Sequence, residues 1–208
     1  MNHLLNLQAL RDAPVRDAPF PYFTVDQALD PEQVMDVIAD FPHIPAGGSY
    51  TLADVQVGPH FQRLLDAVDT PEFRRILGQK FGVDVSELPL MVTLRGHSRG
   101  KDGRIHTDSR TKVLTILIYL NASWPHETGR LRILRSKDDL DDYAAEVPAG
   151  PGQLIAFRVT ENGWHGYRPY EGRRQSVQIN FLTSKAAGSK HHFVHGLSAR
   201  LKALRHRR

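Results

Sequence analysis

Apolar residues in the first third of the chain recur at helical spacing. Asp30-Pro31-Glu32-Gln33 offers an N-cap, a proline at the first helical position and a capping-box glutamine, and Val34, Val37, Ile38 and Phe41 follow three to four residues apart. This predicts an amphipathic helix that ends before Pro42. Phe61, Leu64, Leu65 and Val68 predict a second, and Thr70-Pro71-Glu72-Phe73 restarts a third through Ile76 and Leu77 towards Phe81. From about Leu88 the period changes. Residues 90–94, 113–120, 131–134, 153–157 and 175–182 are short β-branched or apolar runs divided by Gly, Pro, Asn and charged loops. That order predicts an antiparallel sandwich or barrel, with no helix–strand alternation to demand a parallel sheet and no internal repeat. The expected fold is mainly β with N-terminal helices (α+β). One domain is expected over residues 1–184, with a helical support region at 1–87, a β core at 88–184 and a basic tail at 185–208.

Composition narrows the chemistry. The 208 residues are 40% hydrophobic and 24% charged, as in a globular protein with a real core. There is no cysteine, so disulfides, thiolate metal sites, iron–sulfur clusters and cysteine nucleophiles are excluded. Any metal must be held by histidine, carboxylate or carbonyl. The segment from Met1 to Arg11 is a poor signal peptide, because Asn2, Asn6 and Gln8 interrupt its leucines. No apolar run approaches the ~20 residues of a membrane helix, and a cytoplasmic location is expected.

The formal charge of +4 is unevenly placed. Residues 185–208 hold seven Lys or Arg, four His and no acid, while the first 184 carry 20 basic against 23 acidic side chains. A nucleic-acid role would rest on this tail, on Arg200, Lys202, Arg205, Arg207 and Arg208. A solvated terminal helix with cations near its C-terminus is the favoured reading of this tail. His191, His192 and His195 read as solvated, and His126 as exposed in a polar loop.

The candidate chemistry starts at His106-Thr107-Asp108. Residues i and i+2 of a strand point to one side, so an imidazole and a carboxylate would share a face. Such a spacing arises about once by chance in a chain of this composition. His165, in the second half of the β core, is the partner a returning strand could bring to it. Two histidines and a carboxylate on one face of a metal leave adjacent positions open, the arrangement that suits non-haem Fe(II). Further on, Arg174, Ser176, Gln178 and Asn180 alternate with Gln175, Val177, Ile179 and Phe181. If the polar face looks inward, a buried Arg174 needs an anion, and a guanidinium grips a carboxylate through two parallel hydrogen bonds. If it looks outward, this is an ordinary exposed strand face. Parity leaves both open.

The stretch 106–181 resembles the Fe(II)/2-oxoglutarate oxygenases of the prolyl-hydroxylase type. The residues that carry the likeness are His106-Thr107-Asp108, Thr115-Ile116-Leu117-Ile118-Tyr119-Leu120-Asn121, Trp124, Gly129-Arg130-Leu131-Arg132-Ile133, Gly152-Gln153-Leu154-Ile155-Ala156-Phe157, His165 and Arg174. The resemblance implies a double-stranded β-helix, or jelly-roll barrel, with iron near one mouth. His106, Asp108 and His165 would be the metal ligands and the catalytic centre. Arg174 would pair with the distal carboxylate of 2-oxoglutarate, Tyr119 would donate its hydroxyl to it, and Ser176 would assist. O2 is the second co-substrate, with ascorbate as a possible reductant. The implied reaction is hydroxylation of an unactivated C–H with release of succinate and CO2, and a carboxylate at Asp108 favours it over the halogenase variant.

Three departures from the family pattern bear on the substrate, a prolyl one included, and leave the iron ligands intact. Gly129-Arg130 stands where relatives often have two glycines, Asn180 where some have an aromatic residue, and Arg95 where a pocket tyrosine is expected. Arg95, Arg104, Tyr167 and Asn180 are the candidate contacts to a small-molecule or peptide substrate, with residues 96–103 as a glycine-rich lid or a plain hairpin connection. The competing function is a non-catalytic, cupin-like barrel that binds metal or a metabolite.

Overall fold

The computed structural model describes residues 4–184, so the calls on the basic tail and on His191, His192 and His195 lie outside the described residues. In chain order the elements are α1 (Leu7–Asp12), β1 (Tyr22–Val25), α2 (Val34–Ala39), β2 (Tyr50–Thr51), α3 (Pro59–Ala67), α4 (Pro71–Phe81), β3 (Leu90–Ser98), β4 (Lys112–Tyr119), β5 (Leu131–Leu134), β6 (Tyr143–Val147), β7 (Leu154–Arg158), β8 (His165–Gly166) and β9 (Gly172–Leu182). Two antiparallel sheets result. One has six strands in the order β1-β7-β4-β9-β3-β2 and the other three in the order β6-β5-β8. No helix among the described residues is long and apolar enough to cross a membrane.

The helices begin where the sequence places their caps. Thr70 Oγ1 accepts a hydrogen bond from Phe73 N, Pro71 opens α4, and Gly82 closes it in the left-handed region. Asp40, just after α2, caps the next helix by accepting from His60 N at 2.7 Å. Around Asp30 the outcome differs from expectation. Its carboxylate accepts from Glu32 N and from the Gln33 side chain, closing a turn, and α2 starts only at Val34. The N-terminal region is also not purely helical, because β1 and β2 join the large sheet through pairs such as Tyr22↔Phe157 and Tyr50↔Leu94.

Alternation along the large sheet divides it into two buried faces. On one side Val177, Ile179 and Phe181 of β9 and Leu114, Ile116 and Ile118 of β4 share a core with Phe61, Phe73 and Leu77 of the helices. The α4 layer touches this face directly: Phe81 stacks on Phe23 of β1, ring centroids 5.6 Å apart, and the Arg74 guanidinium lies 5.0 Å from the Phe181 ring centre. On the other side Leu117, Tyr119, Ile155 and Phe157 pack with Leu131, Ile133 and Val147 of the small sheet. The polar residues of β9 lie on this second side. Of the two orientations that parity left open, the structure has the inward one, and both faces of β9 are covered.

Candidate metal centre

A backbone device sets the two histidines side by side. His106 N donates to His165 O and His165 N donates to His106 O, both at 3.0 Å, forming an isolated antiparallel bridge. β8 is only two residues long and is anchored by Ile133↔His165 and Arg132↔Gly166 to β5. The imidazoles end with centroids 4.3 Å apart. Each ring is then fixed in the same way, His106 Nδ1 to Arg104 O and His165 Nδ1 to Gly163 O, both at 2.9 Å. A carbonyl only accepts, so Nδ1 carries the hydrogen in both rings and Nε2 presents its lone pair.

Asp108 arrives by a different route from the one its spacing suggests. The stretch after His106 is not a strand, so alternation does not aim the carboxylate. Two residues further along do so: Lys112 Nζ donates to Oδ1 at 2.9 Å and Thr115 Oγ1 donates to Oδ2 at 2.5 Å. One ligand atom each from His106, Asp108 and His165 falls within 4.8 Å of the others, the spacing of a metal cluster.

The electrostatics suit a cation. Burial pushes the Asp108 carboxyl up, but Lys112, His165 and the Thr115 hydroxyl outweigh it and hold the group below the usual carboxylate range. Burial, reinforced by His106, pushes His165 down to about 4, so it is neutral at pH 7. Phe157 lies against the His165 ring at 4.9 Å between centroids. An ionised carboxylate, a neutral imidazole and a second ring presenting Nε2 are a nitrogen–oxygen donor set for a divalent first-row metal. A carboxylate oxygen that already accepts one hydrogen bond retains a lone pair for it.

The same cavity, about 260 Å³, is bounded by His106, Asp108 and His165 and also by Arg174. Arg174 is 3% exposed and forms no ion pair with a carboxylate among the described residues. Its Nε donates to Gly129 O at 2.8 Å and its Nη2 to the Tyr119 hydroxyl at 3.2 Å, while its guanidinium lies 4.2 Å from the Tyr167 ring centre and 5.1 Å from that of Tyr119. Gly129 makes this possible. It adopts φ +72°, and a Cβ there would come within 2.8 Å of Trp124 and 3.0 Å of Tyr170. Burial raises the Tyr119 pKa against the pull of Arg174, so the phenol keeps its proton. Ser176 lies between Arg95 and Tyr119 in register, and its buried Oγ has no hydrogen-bond partner.

The remaining expectations separate. Arg95, Arg104 and Tyr167 line the cavity, with the Tyr167 hydroxyl bonded to Ser98 Oγ at 2.9 Å. Asn180 does not. It is fully buried, donates to Thr115 Oγ1 at 2.8 Å and accepts from Gln178 Nε2, so it steadies the residue that holds Asp108 from behind the cavity wall. The segment 96–103 is no long lid: β3 runs through Ser98, and Asp102 clasps Arg99 in a tight turn. Gly103 (φ +87°) closes it against Tyr167, whose N–H donates to Gly103 O at 2.9 Å. Sequence reasoning missed Lys112 and Thr115. The available signal was that Thr115 shares the inward face with Leu117 and Tyr119, and that Lys112 stands four residues after Asp108.

Comparison with known proteins shows what this arrangement resembles. Residues 92–182 match the 2OG-Fe(II) oxygenase superfamily. The matched segment holds both histidines, Asp108, Tyr119 and Arg174, and with this three-ligand cluster it assigns Fe(II) and 2-oxoglutarate as metal and co-substrate of a dioxygenase core. The fold agrees. A prolyl-4-hydroxylase of Pseudomonas putida is similar at 17% identity and TM-score 0.58, over 86% of this chain and 97% of that one. A prolyl 4-hydroxylase of Phytophthora capsici is similar at 15% and 0.54, over 87% of this chain and 62% of the other. The viral collagen prolyl hydroxylase of Paramecium Bursaria Chlorella virus-1 is similar at 12% and 0.52, over 79% and 90%. No curated protein matches the chain by sequence.

Proposed function

We propose that the chain is an Fe(II)- and 2-oxoglutarate-dependent dioxygenase that hydroxylates an unactivated C–H of a small-molecule or peptide substrate. The observation that carries this reading is the coincidence, in one cavity, of the three clustered ligand atoms and a buried guanidinium with no carboxylate partner. The two facing sheets are read as halves of a double-stranded β-helix, and residues 1–184 as one oxygenase domain. His106 and His165 would hold the metal through Nε2 and Asp108 through a carboxylate oxygen. With Fe(II) held there and 2-oxoglutarate and O2 as co-substrates, the centre would supply the oxidising power for the C–H step, with succinate and CO2 as by-products and ascorbate as a supporting reductant.

The protein's own part is binding, orientation and exclusion of water. Arg174 would take the distal carboxylate of 2-oxoglutarate. Burial of such a charge is costly without an anion, and the co-substrate provides one. Tyr119 accepts from Arg174 and keeps its proton, so its O–H remains to donate to the same carboxylate, and the unpartnered Ser176 Oγ offers a further donor. Leu117 and Leu131 in the cavity wall and Phe157 against His165 supply the apolar part of an otherwise polar lining.

The test is succinate release with Fe(II), ascorbate and O2 across a panel of metabolites and peptides. The expected result is release by the parent, loss to background in His106→Ala, and recovery of part of the activity at raised 2-oxoglutarate in Arg174→Ala. A parent that binds 2-oxoglutarate but releases no succinate with any panel member would return the chain to the non-catalytic binding reading.

A further inference from the structure

The charges around the cavity do not balance once the co-substrate is accounted for. Four cationic side chains, Arg95, Lys101, Arg104 and Arg174, line it against the carboxylates of Asp102 and Asp108. Both carboxylates are committed. Asp108 belongs to the metal cluster and to Lys112. Asp102 accepts three hydrogen bonds from Arg99, from its backbone N at 2.9 Å, Nε at 3.1 Å and Nη2 at 2.8 Å.

The two inward arginines differ sharply. Arg174 is fixed by Gly129 O and Tyr119 and enclosed by two tyrosine rings. Arg95 is half-buried on the same sheet face, level with Ser176, and its guanidinium has no hydrogen bond or ion pair among the described residues. Its charge is felt by Asp102, which lines the cavity, and by the buried Tyr119 behind it in register with Ser176. A guanidinium partly withdrawn from water and left unpaired calls for an anion. A neutral substrate would leave it without one.

We infer that the cavity accepts a substrate bearing an anionic group, a carboxylate or a phosphate, and that Arg95 is its specificity-determining contact, with the exposed Arg104 as a second. The inference rests on the oxygenase reading for what the substrate undergoes. The anion site itself rests on the side chains alone.

Inorganic sulfate, a tetrahedral dianion, and acetate, a planar carboxylate, serve as probes. Each is titrated by calorimetry at constant ionic strength into the full chain, both metal-free and loaded anaerobically with Fe(II) and 2-oxoglutarate, while the visible charge-transfer band of the loaded protein monitors the co-substrate. The expected result is binding of at least one probe, the tighter of the two giving the anion class. Binding weakens about tenfold in Arg95→Gln, the order expected for losing a charge-assisted contact, and by a smaller factor in Arg95→Lys, which keeps the charge without the fork. The 2-oxoglutarate concentration that develops the band should not change, and Arg75→Gln, on the exposed face of α4, should alter nothing. Absence of probe binding in the parent, unchanged binding in both Arg95 variants, or a shift of the 2-oxoglutarate requirement in their place would overturn the inference. If the parent gives no band yet binds a probe through Arg95, the oxygenase reading fails and the anion site stands.

Discussion

The two faces of β9 are built from alternate residues of one strand and are equally buried, yet they serve different ends. Val177, Ile179 and Phe181 face the helices and sit in the main apolar cluster, with the Arg74 guanidinium over the Phe181 ring as the polar contact given for them. Arg174, Ser176, Gln178 and Asn180 face the small sheet and are tied, with one exception, into hydrogen bonds that lead to Gly129, Tyr119, Thr115 and Asp108. The exception, Ser176, has an unpartnered hydroxyl. Dispersion and the hydrophobic effect stabilise the first face without direction, whereas the second is a directional network whose loose ends point to a ligand. Of the β9 side chains, those on the first face therefore contribute packing alone, and those on the second carry the polar groups on which the proposed ligand sites rest.

The largest effect that tests this division is Phe181→Ala. The ring is fully buried, so its loss should destabilise the fold by about 3–5 kcal/mol in denaturant unfolding. Metal affinity of the remaining folded protein should be unchanged. Next comes the pH dependence of the metal-free protein. His165 has a folded pKa of about 4 against an ordinary 6.5, so the unfolded chain takes up the proton first. Stability is then fully present above pH 6.5 and is lost as pH falls towards 4, by roughly 3 kcal/mol at the ordinary conversion of pKa shift to free energy. His165→Gln should flatten that portion of the stability curve.

A smaller effect sharpens the comparison from the other side. Thr115→Val preserves shape and removes the hydroxyl that joins Asp108 to Asn180, so metal affinity should fall about 10–100-fold, as when ligand-orienting partners are lost elsewhere. If this variant instead loses as much stability as Phe181→Ala with no change in metal affinity, the two faces are not divided as argued. The smallest change is expected far from both. Arg11 and Glu72 form an ion pair between α1 and α4 with side chains 37% and 46% exposed, and Arg11→Ala should change stability by less than about 1 kcal/mol.

Legibility in the sequence follows the same physical divide. β4 and β7 stand out because β-branched and apolar runs pack on both sides, β9 because polar and apolar residues alternate strictly from Ser176 to Phe181, and α4 announces itself through Thr70, Pro71 and Gly82. β6 does not, because Tyr143-Ala144-Ala145-Glu146-Val147 has little intrinsic strand character and is held by pairing with β5. β1 and β8 are too short for any periodicity, and their strand state comes from Phe157 and Ile133 across the ladder. At the site, residue types and order singled out the two histidines, Asp108 and Arg174 as candidates, the resemblance joined them into one set, and the structure gathers them around one cavity. What eluded sequence reasoning was three-dimensional: Lys112 and Thr115 gripping Asp108, and Asn180 turned towards Thr115 and away from the cavity.

The central claim is that the clustered side chains and Arg174 together hold iron and 2-oxoglutarate, and anaerobic absorption spectroscopy addresses it most directly. Adding Fe(II) and 2-oxoglutarate to the parent should produce a visible metal-to-ligand charge-transfer band. The band should be absent in His106→Ala and in His165→Ala, and should require more 2-oxoglutarate in Arg174→Ala. A parent that gives no band at any 2-oxoglutarate concentration, or a band indifferent to loss of either histidine, would contradict the account.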